Sequence, residues 1–140
     1  MALNTTEMQN EIIKADNIYD LIDSNSDSFR TESVSEHLKK LIKDKDIKLS
    51  DAVIKGNLDR SYTYQILSGK KTPSRDKLLA LSFGMSLSLD ETNELLKISR
   101  NHILYSRDER DAVIIFSISH GKGLIEANEL LFENGFQTIN

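Results

Sequence analysis

Apolar residues recur at three- and four-residue spacing along most of the chain, the signature of amphipathic helices. In residues 7–23, Ile12, Ala15, Tyr19 and Ile22 share one helical face, with Ile18 and Leu21 beside it. This predicts a single short helix running into the polar linker Asp23-Ser24-Asn25-Ser26-Asp27-Ser28. From Val34 the pattern strengthens, with Leu38, Leu41 and Ile42 on one face and Lys39, Lys40, Lys43 and Lys45 on others. Ser50 is placed to cap a helix over residues 51–55, and Gly56-Asn57 stops it because both tolerate left-handed backbone. Asp59 takes the cap position of a helix over residues 60–67, which Gly69 closes. Pro73 and Ser74 open a helix carrying Leu78, Leu79 and Leu81, and further helices are expected over residues 89–98, 108–119 and 124–134. Val113-Ile114-Ile115 alone suits a strand, but it lies inside a helical-length segment. The expectation is an all-α chain.

Composition narrows the class. At 140 residues, 39% hydrophobic and 29% charged, the chain is neither collagenous nor disordered in character, and it fits one domain or two small ones. Its longest apolar stretch, residues 112–116, is too short to span a bilayer, and no secretion signal opens it. No membrane role is expected. The absence of cysteine excludes disulfides, thiolate metal sites and cysteine nucleophiles, and makes a cytoplasmic location the expectation. The net charge of −4 is unevenly laid out. Residues 1–33 carry two basic and seven acidic side chains, residues 34–80 eleven and six, and residues 81–140 five and nine. A basic middle between acidic flanks suggests an anion-binding module in a solubilising frame.

The last third repeats with an offset of 35 residues: Arg75-Asp76 returns as Arg110-Asp111, Ser82 as Ser117, Leu89 as Leu124, and Asn93-Glu94-Leu95-Leu96 as Asn128-Glu129-Leu130-Leu131. Residues 73–103 thus recur at 108–138, which predicts two stacked helical hairpins. The leucine pairs are expected in the seam and the Asn-Glu pairs near the helix surface. A packing role for the repeat is preferred to a ligand groove.

Residues 49–69 have the anatomy of a helix-turn-helix. Ala52 is small enough for a steep crossing, Gly56-Asn57 turns the chain, and Leu58 closes the turn. Arg60, Ser61, Tyr64 and Gln65 then face outward, with donors and acceptors suited to base edges in a major groove. Tyr62 and Tyr64 lie two residues apart and cannot share a face, so Tyr62 is expected half-buried and Tyr64 exposed. Lys70, Lys71, Arg75 and Lys77 would form a basic rim for phosphates. Plainer roles remain open: Arg60 pairing with Asp59 or Asp51, Gln65 as an ordinary surface residue, and Lys70-Lys71 as a solvated loop.

The stretch from Leu58-Asp59-Arg60 through Gly69-Lys70 to Pro73-Ser74 resembles the phage-repressor-type helix-turn-helix proteins, the XRE family. The resemblance covers about residues 34–98. It implies a five-helix DNA-binding domain whose third helix enters the major groove. Residues 99–140 resemble the helical C-terminal extension of a bacterial subgroup. The chain departs from the family pattern in the acidic Asp51 of its second helix and in the shifted glycine turn.

The expected organisation is an acidic N-terminal arm over residues 1–33, a helix-turn-helix domain over 34–98, and a helical extension over 99–140 packed on it. Catalysis is not expected: His37, His102 and His120 are isolated, Gly121-Lys122-Gly123 is no phosphate loop, and Asp108-Glu109 sit where acids favour a helix start. Neither metal nor cofactor is expected. The function expected is sequence-specific double-stranded DNA binding by a bacterial or phage transcriptional regulator acting as a homodimer. Four phosphates neutralised per subunit would give a salt slope near about −7 for the dimer. The alternative is a protein-interaction adaptor or phage-borne inhibitor on the same scaffold, engaging a partner through the C-terminal hairpin or the acidic arm.

Overall fold

A computed structural model describes residues 3–25 and 32–140. Every regular element among them is a helix, and none is long and apolar enough to cross a membrane. The chain divides into two compact units, one ending at Glu32 and the other spanning Ser33–Asn140.

In the first unit the expected single helix is two, α1 (Thr5–Lys14) and α2 (Ile18–Ser24). Ala15 is extended, and the Asn17 side chain accepts hydrogen bonds from the N–H groups of Tyr19 and Asp20, starting a new helix. That break destroys the register that would have aligned Ile12, Tyr19 and Ile22. All three are exposed, and Leu21 is the buried residue of α2. Of the expected linker, residues 26–28 lie outside the described residues.

The second unit contains α3 (Val34–Asp44), α4 (Leu49–Lys55), α5 (Arg60–Leu67), α6 (Arg75–Gly84), α7 (Leu89–Ile98), α8 (Glu109–Ser119) and α9 (Leu124–Glu133). Capping residues set most of the starts. The side chains of Ser33, Asp59, Ser74, Ser88 and Asp108 each accept from an N–H of the first turn. Ser50 does not act as a cap. Asp46 has a positive φ and Ile47 N–H closes α3 on Ile42 O, so Lys48 becomes the N-cap and Ser50 falls inside α4.

One closure recurs at the helix ends. At Asp46, Asn57, Gly69, Ser86, Arg100, Gly121 and Gly135 a positive φ turns the chain, and the next N–H returns to the carbonyl five residues back. In the α4–α5 turn it is Asn57, at φ 48°, that supplies the left-handed residue. Gly56 has φ −87°, so its role is different from the one expected. A Cβ there would lie 2.8 Å from Ala80 O, and one on Gly84 would lie 2.3 Å from Ala52 O. The two glycines let α4 and α6 pack backbone to backbone.

α3 packs on α5 and α7, α4 on α6, and α6 on α7. A continuous core runs from Leu38, Ala52, Leu58 and Ile66 through Leu78, Leu81 and Leu95 to Ile114, Leu131 and Ile139. The two repeats, α6–α7 and α8–α9, meet reciprocally: α6 packs on α9 and α7 on α8. Arg75 pairs with Asp111 at 2.9 Å, and its counterpart Arg110 pairs with Asp76 at 3.1 Å. Contacts of the form i-to-j′ and j-to-i′ mark an approximate two-fold relation rather than a head-to-tail stack. Leu95, Leu96 and Leu131 are buried in the core as expected of the leucine pairs, but Leu130 is half-buried and lines an open groove instead of filling the seam. The asparagines are not surface residues. Asn93 Oδ1 accepts from Leu104 N–H and Asn128 Oδ1 from Ile139 N–H, so each pins the irregular segment that follows its hairpin, and both are half-buried.

Candidate nucleic-acid interface

α5 carries the candidate face. Its eight residues bury Thr63 and Ile66, with Tyr62 and Leu67 half-buried beside them. Thr63 enters the core at no polar cost, because its hydroxyl donates to Asp59 O at 2.8 Å. With that face fixed inward, a 3.6-residue period turns Arg60, Ser61, Tyr64 and Gln65 outward together. Arg60, Ser61 and Tyr64 are exposed, and Gln65 is half-buried. Tyr64 is 50% exposed while Tyr62 is half-buried, the expected division. The Arg60 guanidinium carbon lies 6.0 Å from the Tyr64 ring centroid, at the outer limit of a cation–π contact.

The start and stop of α5 follow from local chemistry. Asp59 Oδ2 accepts from Tyr62 N–H at 2.8 Å, which fixes Arg60 as the first helical residue. At the other end, the Ser35 hydroxyl of α3 donates to Leu67 O, and Gly69 turns the chain at φ 83°. Lys70 N–H and Lys71 N–H both return to Gln65 O, holding the lysine loop against the end of α5 with both side chains exposed. Lys77, in the first turn of α6, reaches back so that its Nζ lies 6.0 Å from the Tyr62 ring centroid. Three of the four expected rim residues therefore border α5.

Arg75 does not. Its Nε donates to His102 O at 3.0 Å, its Nη1 and Nη2 to the two oxygens of Asp111, and Nη2 also to Ile103 O. Four of its five N–H groups are thus engaged within the protein, and the residue joins the repeats instead of facing a phosphate. Arg110 does the same for the second repeat through Asp76, Gln137 O and Thr138 O.

A shallow cleft of about 130 Å³ beside Arg60 and Tyr64 is lined also by Leu49, Ser50, Val53 and Ile54 of α4. Ile54 is exposed. Sequence reasoning did not select these four residues; the signal was an isoleucine on a seven-residue helix whose buried residue is Ala52. An apolar floor beside a guanidinium suits a thymine methyl next to a hydrogen-bond acceptor. Among the described residues no cluster of three or more acidic or histidine side chains could hold a metal ion. No protein-family description matches this chain, and no curated protein or solved structure resembles it significantly.

Proposed function

We propose that the protein binds double-stranded DNA sequence-specifically, with α5 in the major groove, and acts as a dimeric transcriptional regulator in the cytoplasm. The observation that carries this reading is the single outward face of Arg60, Ser61, Tyr64 and Gln65, bordered by Lys70, Lys71 and Lys77. Base-reading groups on one helix face with cations around it match the division between contacts that specify and contacts that position. The resemblance of residues 34–98 to repressor-type domains supports the same docking. Without Arg75 the rim offers about three phosphate contacts per subunit, and the expected salt slope for a dimer becomes about −5.

The test is selection of bound duplexes from a random DNA pool near physiological salt, beside the Arg60→Ala/Gln65→Ala double variant. A recovered motif that the variant loses supports base reading, and its half-site spacing reports the dimer. Lys70→Ala/Lys71→Ala should instead weaken all sequences alike and flatten the salt slope by about two per subunit. A folded protein that enriches no motif overturns the proposal. A second reading, a protein-interaction adaptor, is favoured by the exposed apolar groove between α8 and α9.

A further inference from the structure

The approximate two-fold between the repeats makes their outer faces comparable position by position, and they are covered unequally. In the first repeat Leu78 and Leu95 are 0% and Leu81 2% exposed, in a core shared with Leu38 of α3. Their counterparts 35 residues on are Val113, Leu130 and Phe116. Val113 and Leu130 are half-buried, and Phe116 is 46% exposed. With Ala112 and Asn134 these three line an open groove of about 270 Å³ between α8 and α9. His120 stacks on Phe116 with ring centroids 4.0 Å apart, and its Nδ1 lies 2.8 Å from Phe116 O, which holds the aromatic wall upright.

We propose that this groove docks a basic amphipathic helix of a partner protein, lying as α3 lies on the first repeat. The first repeat supplies the template: α3 packs on α7 there, with Lys39, Lys40 and Lys43 exposed on its outer side. Lys45, at the C-cap of α3, reaches Glu91 at the start of α7 at 2.6 Å. The counterpart of Glu91 is Glu126, met at 3.6 Å by Lys122 of the preceding turn. An incoming lysine would take that carboxylate in the same way.

Charge selects the occupant. Glu126, Leu130 and Glu133 share one strip of α9, and Glu109 heads the α8 strip that carries Val113 and Phe116; all three glutamates are exposed. An acidic margin around an apolar floor attracts lysines and repels acids. It disfavours the chain's own acidic arm and a second copy of the same groove. Shape limits the mode as well. α4 seats on α6 only because Gly84 lacks a Cβ, and the counterpart of Gly84 is Ser119. The second repeat therefore takes an α3-like helix and no α4-like one.

The test is an NMR titration of the isotope-labelled full chain with a synthetic peptide of residues 33–46, and with the same peptide carrying glutamate in place of its lysines. Saturable shifts at Val113, Phe116, Leu130 and Asn134 are expected with the basic peptide, and about tenfold weaker binding with the reversed one. Phe116→Glu should abolish the groove shifts. Glu126→Lys/Glu133→Lys, which also gives up the Lys122 ion pair and the Gly123 N–H bond to Glu126, should lower the Tm by about 5 °C or less and reverse the peptide preference. Absence of groove shifts at millimolar peptide overturns the proposal, as does equal binding of both peptides. So do shifts confined to the first repeat, or groove shifts that follow protein concentration alone and vanish in Phe116→Glu, which would make a second copy the occupant.

Discussion

The two repeats share an interior and differ outside. Each begins with an Arg-Asp pair that crosses to the other, and each fixes its C-terminal return with an asparagine amide. Each also carries a serine whose hydroxyl returns to the carbonyl four residues back, Ser82 to Leu78 O and Ser117 to Val113 O. Positions that look outward have diverged. In the core shared with α3 the first repeat uses Leu78 and Leu81, and against α4 it uses Gly84; the second repeat has Val113, Phe116 and Ser119 at those positions. Groups shared by both copies hold the two-fold contact, while the others follow whatever covers each copy.

The sharpest way to break that comparison is to truncate one matched pair. Leu81→Ala removes a side chain that is 2% exposed and leaves a cavity in the core, which should cost about 3 kcal/mol in urea denaturation. Phe116→Ala removes a larger side chain that is 46% exposed and should cost less than about 1 kcal/mol. Equal losses would mean that Phe116 is covered in solution even without a partner.

How far the sequence carried depended on the range of the interaction. The starts of α5 and α6 were legible because Asp59 and Ser74 act within one turn of themselves, and Ser88 and Asp108 start α7 and α8 by the same local chemistry. The outward face of α5 was legible because helical period and the burial of Ile66 determine it. The break between α1 and α2 was missed because an apolar period continues through it, and the Asn17 cap competes with that period locally. Arg75 was misassigned because its partner is 36 positions away. The recurrence of Arg-Asp in both copies was the available signal, since a doublet repeated at the start of each unit is suited to reciprocal pairing. The cleft on α4 was legible only as an apolar residue, Ile54, on a short helix, because its exposure depends on the glycine-mediated seating of α4 on α6.

The reciprocal ion pairs sharpen the comparison at intermediate magnitude. Asp111 is 9% exposed in its side chain and accepts from Arg75 twice and from Tyr105 N–H, whereas Asp76 is 33% exposed. Asp111→Ala leaves Arg75 partly desolvated and unpaired and should cost about 2 kcal/mol or more. Asp76→Ala should cost less than about 1 kcal/mol, because Arg110 is exposed to the same degree as Arg75 but its carboxylate partner is one-third exposed, so water can take the place of Asp76. Chemical denaturation at pH 7 measures both. A double variant, Arg75→Met/Asp111→Leu, should recover part of the first loss. Failure to recover any would locate the cost in the Tyr105 contact rather than in the buried charge.

The smallest effect distinguishes the matched glutamates by pH. The hydrogen bond from Lys45 holds the Glu91 carboxyl below its ordinary value of 4.5, helped by the backbone N–H of Ser88 and opposed by partial burial. A carboxylate with a depressed folded pKa contributes stability that is complete above its unfolded value and lost as pH falls through the folded one. Glu91→Gln should therefore be less stable than the native chain at pH 7, with the gap closing as pH drops below about 4.5. The pair is about one-third exposed, so screening keeps the gap below about 1 kcal/mol, and high salt narrows it. Glu126 meets Lys122 at 3.6 Å with its side chain 58% exposed. Glu126→Gln should change stability at pH 7 by less than about 0.5 kcal/mol. Parallel urea series for the two variants between pH 3 and 7 measure the difference. If Glu126→Gln loses as much as Glu91→Gln, the Lys45 contact is not what sets the first repeat apart, and the lysine-gripping role assigned to a docked helix loses its template.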